Sequence, residues 1–219
     1  FLNFFSQNSS SPDLMRLSSD QLGAIGEIRV DSLPLLEDLR PHLTPQDRSN
    51  FEERALEAMR YGDALYGAPA SQDCLSLIYN KALFDAQGIS YPDESWTHDD
   101  LLNAAQQLTY QDVQGLALPV KSAYWWFPIQ EGFGGSLFNE SGTPTLDSNG
   151  SSEAMEWMLD LELEHEVVAT GTQIEGMKNQ FISSKAAMII DGPWNWATDE
   201  ASRLSIGQTL LPIVDDSGE

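Results

Sequence analysis

A run of five apolar residues that stops at an Asp-Gly turn restricts the fold of this chain more than any other feature. Ala186 to Ile190 have the length and composition of a buried parallel strand. Asp191-Gly192 predicts a turn, and Pro193 suits the first turn of a helix because its φ is fixed. Ligands of α/β proteins bind where such strands end. Trp194 would offer a sugar ring a flat apolar face and one N–H donor there, although a core tryptophan that caps the helix is an equal alternative.

Short apolar runs alternate with segments of helical periodicity, and this alternation predicts the α/β class. Helix caps are indicated at Thr44, at Thr97 and at Ser151 or Ser152, and a hairpin is indicated within residues 62–69. The predicted strands cover residues 1–5, 12–17, 74–79, 115–120, 186–190 and 204–211. The predicted helices cover residues 21–26, 45–59, 81–87, 98–108, 152–161 and 174–181.

The charge balance argues against two classes of partner. The formal net charge is −23, from 34 acidic and 11 basic residues. Nucleic acids and anionic membrane surfaces attract basic proteins, so neither is an expected partner. The acidic residues are spread along the chain, which favours a role in solubility, as in a saline medium. No apolar run is long enough to predict a membrane span, and no signal peptide is visible.

The cysteine and histidine content predicts neither a metal site nor a cofactor. Cys74 is the single cysteine, so no internal disulfide is possible, and its apolar surroundings predict a small core residue. The three histidines, His42, His98 and His165, have no spacing typical of a metal site.

Three blocks of the chain, in this order, resemble the solute-binding proteins of ABC transporters. The likeness is closest to the maltose-binding-protein branch, family 1 of the sugar binders. The blocks are YGAP at 66–69 leading into LSLIYN, YWWFPI at 124–129 leading to Gly134-Gly135, and FISSKAAMIIDGPWNW at 181–196. The segment SPDLMRLSSDQLGAIGE at 11–27 is similar to another part of the family, and the resemblance extends from Ser11 to Pro212.

The resemblance implies two α/β lobes with a ligand between them, which close by a hinge motion. Residues 1–72 would form part of the first lobe. Residues 73–212 would form the central part of the second lobe, including the first crossing strand, and residues 213–219 would begin the return segment. The chain lacks the opening β-α unit and the C-terminal third of its relatives, so we expect it to be part of a longer protein.

The resemblance also implies a set of ligand-binding residues and no catalytic or metal-binding ones. By position, the set comprises Trp194, Tyr124, Trp125, Asp73, Asp20 and Gln21. Leu17 and Ser122 stand where the maltose binder has a tryptophan and a glutamate, and Gln21 stands where it has an arginine. This poorer set predicts a mono- or disaccharide, or a small glycoside, as the ligand.

Other roles remain open for several of these residues. Trp126 and Phe127 could be core residues, as could Tyr124 and Trp196, and Asp20 could be only a helix cap. Asp73 next to an apolar strand is harder to explain without a ligand, because an unpaired buried carboxylate is costly.

The expected function is therefore that of a non-enzymatic substrate-binding component of an ABC importer. Its expected partners are a carbohydrate and the permease subunits, and it is expected to be a monomer in the periplasm or outside the cell, with lipid anchorage as an alternative to free secretion. Two other functions stay open. A glycoside hydrolase could draw a carboxylate pair from Asp20, Asp73 and Glu131, and a structural or adhesion domain would bind no small ligand.

Overall fold

The computed structural model describes residues 13–196 and 203–213, and for Trp196 it describes the backbone only. The strand predicted at residues 1–5 therefore lies outside the described residues. Contacts between residues divide the chain into two compact units, Phe1–Gln72 and Asp73–Glu219. The assignment of these units to lobes stays a prediction.

Unit 1 consists of short elements. A 3₁₀ turn at Ser19–Gln21 leads into the first helix, and two antiparallel hairpins, β1–β2 and β3–β4, follow in its described part. The elements are α1 (Leu22–Gly26), β1 (Arg29–Val30), β2 (Leu33–Pro34), α2 (Pro45–Arg48), α3 (Glu53–Glu57), β3 (Arg60–Tyr61) and β4 (Ala64–Leu65). The second hairpin turns at Gly62-Asp63, one of the predicted turn signals, but its strands span residues 60–65 instead of 62–69.

Two predictions for unit 1 are wrong. The segment predicted as a strand at 12–17 has no strand among its described residues. The single helix predicted over 45–59 is two helices, because the chain leaves the helical path after Arg48. Thr44 and Asp47 form a capping box at α2, and the Glu52 side chain accepts the amide N–H of Ala55 to begin α3 anew. The Glu52 carboxylate thus begins a second helix within a segment whose apolar spacing predicted one continuous helix.

The described part of unit 2 is built on a four-stranded sheet with the order β6-β7-β5-β8. β7 pairs parallel with β6 and antiparallel with β5, and β8 pairs antiparallel with β5. The strands are β5 (Ser76–Asn80), β6 (Gln114–Ala117), β7 (Ala186–Asp191) and β8 (Ile206–Thr209). Every residue of β5 and β7 is buried, which confirms the buried strands predicted near 74–79 and 186–190.

Helices cover this sheet. They are α4 (Lys81–Gln87), α5 (His98–Leu108), α6 (Ala123–Gly132), α7 (Asn149–Leu163), α8 (Ile174–Ile182) and α9 (Pro193–Trp196). Thr97 caps α5 in a capping box with Asp100, as predicted, whereas α7 begins earlier than predicted, with Ser148 as its cap. The fold is therefore of the predicted mixed α/β class.

The core of unit 2 lies between these helices and the sheet. It includes completely buried side chains such as Leu77, Phe84, Leu116 and Met188. Cys74 is exposed, so its predicted core role is wrong: it precedes β5, outside the part of the run that enters the sheet. Within the described ranges, no helix is both long and apolar enough to cross a membrane.

Candidate functional site

Strand directions bring three predicted site segments to one end of the unit 2 sheet. β6 and β7 are parallel, so their carboxyl ends lie together, and β5 is antiparallel, so its amino end joins them. The register pairs Ser76, the first residue of β5, with Asp191, the last residue of β7. The segment that carries Tyr124 follows β6, the turn with Trp194 follows β7, and Asp73 precedes β5. This end of the sheet is the location that α/β proteins use for ligands.

Tyr124 and Trp194 form an exposed aromatic pair there. Their ring centroids are 6.3 Å apart, and the ring planes meet at 69°. Tyr124 is 52% exposed and Trp194 is 45% exposed. An edge-to-face pair with this much exposed surface offers apolar faces in two directions. Two of the three aromatic residues predicted to lie at the site are thus in contact.

The backbone of the turn explains where the Trp194 ring lies. A Cβ atom added to Gly192 would meet the six-membered ring of Trp194 at 2.1 Å, so the indole lies directly over this glycine. Pro193 begins α9 as predicted, and the described part of this helix is Pro193–Trp196. The indole therefore depends on the absence of a side chain at position 192.

A buried carboxylate, which the sequence analysis does not assign to the site, lies under the same turn. Asp191 is completely buried, and its carboxylate accepts the Gly192 amide N–H at 2.8 Å and the Asn195 side-chain N–H at 2.8 Å. Burial raises the pKa of the Asp191 carboxyl, while the hydrogen bonds from Asn195, Gly192 and Trp194 act in the opposite direction. An Asp at the end of an otherwise apolar strand is the sequence signal that could have indicated this role.

Trp125 differs from its predicted role as a ligand contact. It is 4% exposed, and its indole N–H donates to the carbonyl oxygen of Ile190 at 2.6 Å. Its ring also packs edge-on against Tyr124, with the centroids 5.1 Å apart. The helix turns by about 100° per residue, so the neighbour of an exposed tyrosine points into the core. Trp125 therefore supports Tyr124 and joins α6 to β7.

The next two aromatic residues, Trp126 and Phe127, also differ in burial. Trp126 is buried and donates its indole N–H to the carbonyl oxygen of Ser151 at 3.2 Å, so it is a core residue that joins α6 to α7. Phe127 is partly exposed, at 38%. Pro128 lies inside α6 without ending it.

The predicted carboxylate at the site has a different environment from the one expected. Asp73 is exposed and precedes β5, so the argument that burial would be costly does not apply to it. Its position at the same end of the sheet as Trp194 remains compatible with binding hydroxyl groups.

The two predicted residues of unit 1 lie in the 3₁₀ turn. Asp20 and Gln21 are both exposed. Neither the 3₁₀ turn nor α1 has a side-chain cap hydrogen bond, so Asp20 does not act as the helix cap that was its alternative role. Their place in a ligand site rests on the resemblance alone.

Metal binding finds no geometric support in the part of the chain that the structure describes. Among residues 13–196 and 203–213, no group of three or more His, Cys, Asp or Glu side chains could hold a metal ion. Glu131, one of the three carboxylates considered for hydrolysis, is exposed near the end of α6.

Comparison with known proteins identifies the family to which this chain belongs. The family model described as bacterial extracellular solute-binding protein matches residues 2–208. Because the match covers nearly the whole chain, the chain belongs to the bacterial extracellular solute-binding protein family. This agrees with the resemblance found in the sequence.

Individual relatives and solved structures resemble the chain at modest identity. The maltodextrin-binding protein MdxE of Bacillus subtilis is 23% identical over 218 residues, which are 96% of this chain and 50% of that protein. The GacH receptor of Streptomyces glaucescens, solved unliganded and in complex with acarbose and an acarbose homolog, has a TM-score of 0.80 and 28% identity over 99% of this chain and 56% of its own.

A further structure supports the same fold. The ABC substrate-binding protein Lmo0181 of Listeria monocytogenes, solved in complex with cycloalternan, has a TM-score of 0.73 and 27% identity over 82% of this chain and 48% of its own. The chain spans about half the length of the curated relatives it matches.

Proposed function

We propose that this chain is part of the substrate-binding component of an ABC importer and that it binds a carbohydrate. The observation that carries the proposal is the exposed pair of Tyr124 and Trp194 at the end of the sheet where β6 and β7 finish. Membership of the solute-binding family supports the transport role, and the names of several relatives mention sugars. Aromatic faces suit sugars because one side of a pyranose ring presents C–H groups.

Polar contacts supply the second half of the recognition. The exposed carboxylate of Asp73 can accept hydrogen bonds from two hydroxyl groups of one sugar ring. Charge-assisted bonds of this kind contribute about 1.5–3 kcal/mol each. We propose Asp20 and Gln21 as further hydroxyl contacts because they match binding positions of the maltose-binding branch. In this scheme Trp125 holds Tyr124 in place.

We propose a small ligand, namely a monosaccharide, a disaccharide or a small glycoside. Leu17 and Gln21 supply neither the aromatic ring nor the cation that the maltose binder has at these positions, and Ser122 supplies no carboxylate. Each missing contact reduces the number of sugar rings that the site can hold tightly.

The rest of the proposal concerns the complete protein. It would act as a monomer in the periplasm or at the cell surface, pass the sugar to permease subunits, bind no nucleic acid and catalyse no reaction. The family name supports an extracellular or periplasmic location.

A titration tests the proposed function. The complete protein would be titrated with glucose, maltose, maltotriose, a galactooligosaccharide and acarbose, while tryptophan fluorescence and the heat of binding are recorded. We expect saturable binding of at least one of them, with a shorter sugar preferred over a longer one. No response to any sugar would refute the proposal, and release of free sugar from a glycoside would show a hydrolase instead.

A further inference from the structure

The last two residues of β7 bond to both of the segments that carry the aromatic pair. The Ile190 carbonyl oxygen accepts the indole N–H of Trp125, the residue that follows Tyr124. The Asp191 carboxylate accepts the N–H groups of Gly192 and Asn195, which lie on either side of Trp194 in the chain. One short stretch of the central strand therefore anchors both rings.

The location of Asp191 needs an explanation, because the rest of β7 is apolar. A buried carboxylate costs stability unless hydrogen bonds satisfy its oxygens. Here Oδ1 accepts the Gly192 N–H and Oδ2 accepts the Asn195 side-chain N–H, each at 2.8 Å, and the Trp194 side chain is a further hydrogen-bond donor to this carboxyl. The register partner of Asp191 on β5, Ser76, is also buried. Both bonds lead to the turn that carries Trp194.

These bonds attach the start of α9 to the sheet. The N–H groups in the first turn of an α-helix have no carbonyl partner within the helix, and Asn195 lies in the first turn of α9. The backbone N–H of Asn195 donates to the Gly192 carbonyl oxygen at 3.4 Å. The side-chain bond from Asn195 to Asp191 is shorter, at 2.8 Å, and attaches this helix to the rigid sheet.

We propose that Asp191, through its hydrogen bond to Asn195, is a positioning residue that sets the Trp194 ring against the Tyr124 ring. The consequence for ligand affinity rests on the proposed function. The arrangement of the rings does not rest on it, because the ring contact is a property of this chain's own residues. The two can therefore be tested separately.

An exchange of the two side chains tests the proposal. Asn195→Asp replaces the N–H donor by a second carboxyl, and the measurements are made at alkaline pH so that both carboxyls are ionised and repel each other instead of sharing a proton. The double variant Asp191→Asn with Asn195→Asp restores one amide and one carboxylate and therefore the hydrogen bond. Asn103→Asp, on the exposed side of α5, adds the same charge elsewhere and is the control.

The first measurement needs no ligand. The complete protein would be labelled with fluorotryptophan, and its fluorine NMR resonance for Trp194 would be assigned with Trp194→Phe. We expect Asn195→Asp to shift or broaden this resonance, the double variant to return it, and the control to leave it in place. A resonance that stays in place in Asn195→Asp, or that does not return in the double variant, overturns the positioning role.

The second measurement is affinity, with maltotriose as the probe if it binds in the titration above, and otherwise the sugar of that panel that does. We expect Asn195→Asp to weaken binding roughly tenfold, which corresponds to about 1.4 kcal/mol, and the double variant to restore most of the affinity. If no sugar binds the unmodified protein, the proposed function fails while the fluorine resonance still decides the positioning role. If the resonance shifts but affinity stays the same, Asp191 does not position a binding residue.

Discussion

Replacement of Trp194 by alanine is the most direct perturbation of the proposed site. The side chain is 45% exposed. For a residue with about 250 Å² of surface, this leaves about 110 Å² for a ligand. A sugar ring that covers about half of this area removes about 55 Å² of indole surface and a similar area of its own from water.

The expected loss follows from that area. About 110 Å² in total, at about 25 cal/mol per Å², corresponds to a loss of about 2–3 kcal/mol of binding free energy. Binding should therefore weaken by about 30- to 150-fold. Folding should change little by comparison, because nearly half of the side chain is already in contact with water.

Isothermal calorimetry with the sugar that binds best would measure this change, with thermal unfolding recorded in parallel. Tyr91→Ala is the matched control, since Tyr91 is 39% exposed and packs against Tyr79, towards the opposite end of β5 from Asp191. We expect the control to leave the Kd unchanged. An unchanged Kd in Trp194→Ala, or an equal loss in both variants, would refute the stacking role.

Three further results are expected. Asp73→Asn should weaken sugar binding roughly tenfold without lowering the Tm, since Asp73 is exposed; a lower Tm with unchanged affinity would make it structural. Burial lowers the pKa of His98 from 6.5 to about 4, so the folded state resists its protonation and stability falls as the pH drops through that window. Urea unfolding should show that, in His98→Phe, the free energy of unfolding falls by about 3 kcal/mol less between about pH 7 and pH 4 than in the unmodified protein. An unaltered pH dependence would contradict this cause. Gly115→Ala should destabilise the fold by about 1–3 kcal/mol, because the added Cβ would lie 1.9 Å from the Ala105 carbonyl oxygen. Gly176→Ala in α8 is the matched control: its Cβ would meet nothing within 4 Å, so it should stabilise the fold by about 0.5–1 kcal/mol. Equal effects of the two variants on Tm would contradict the packing argument.

Local patterns predicted most elements of unit 2. The apolar run at 186–190 is a fully buried strand, and Thr97 caps its helix as expected. These predictions succeed because strand burial and helix capping depend on a few neighbouring residues. The prediction of one continuous helix at 45–59 is wrong because Glu52 caps a second helix, and the spacing of apolar residues does not reveal such a cap.

Burial was harder to predict than secondary structure. Cys74 and Asp73 follow directly on the unit boundary and are exposed, although an apolar run comes next. Trp125 is buried, although the sequence analysis placed it in the ligand-binding set together with Tyr124. Which side of a segment faces the core depends on the elements packed against it, and these come from distant parts of the chain.

The sequence by itself determined the α/β alternation, the two buried strands, the family resemblance and the candidate aromatic residues, because these follow from composition and short-range spacing. Only the tertiary structure decided the strand order β6-β7-β5-β8, which gathers the segments carrying Asp73, Tyr124 and Trp194 at one end of the sheet. It also decided that Tyr124 is exposed while Trp125 is buried, and that Asp191 lies beneath the turn. Strand pairing and helix orientation are set by long-range packing, which no local pattern in the chain contains.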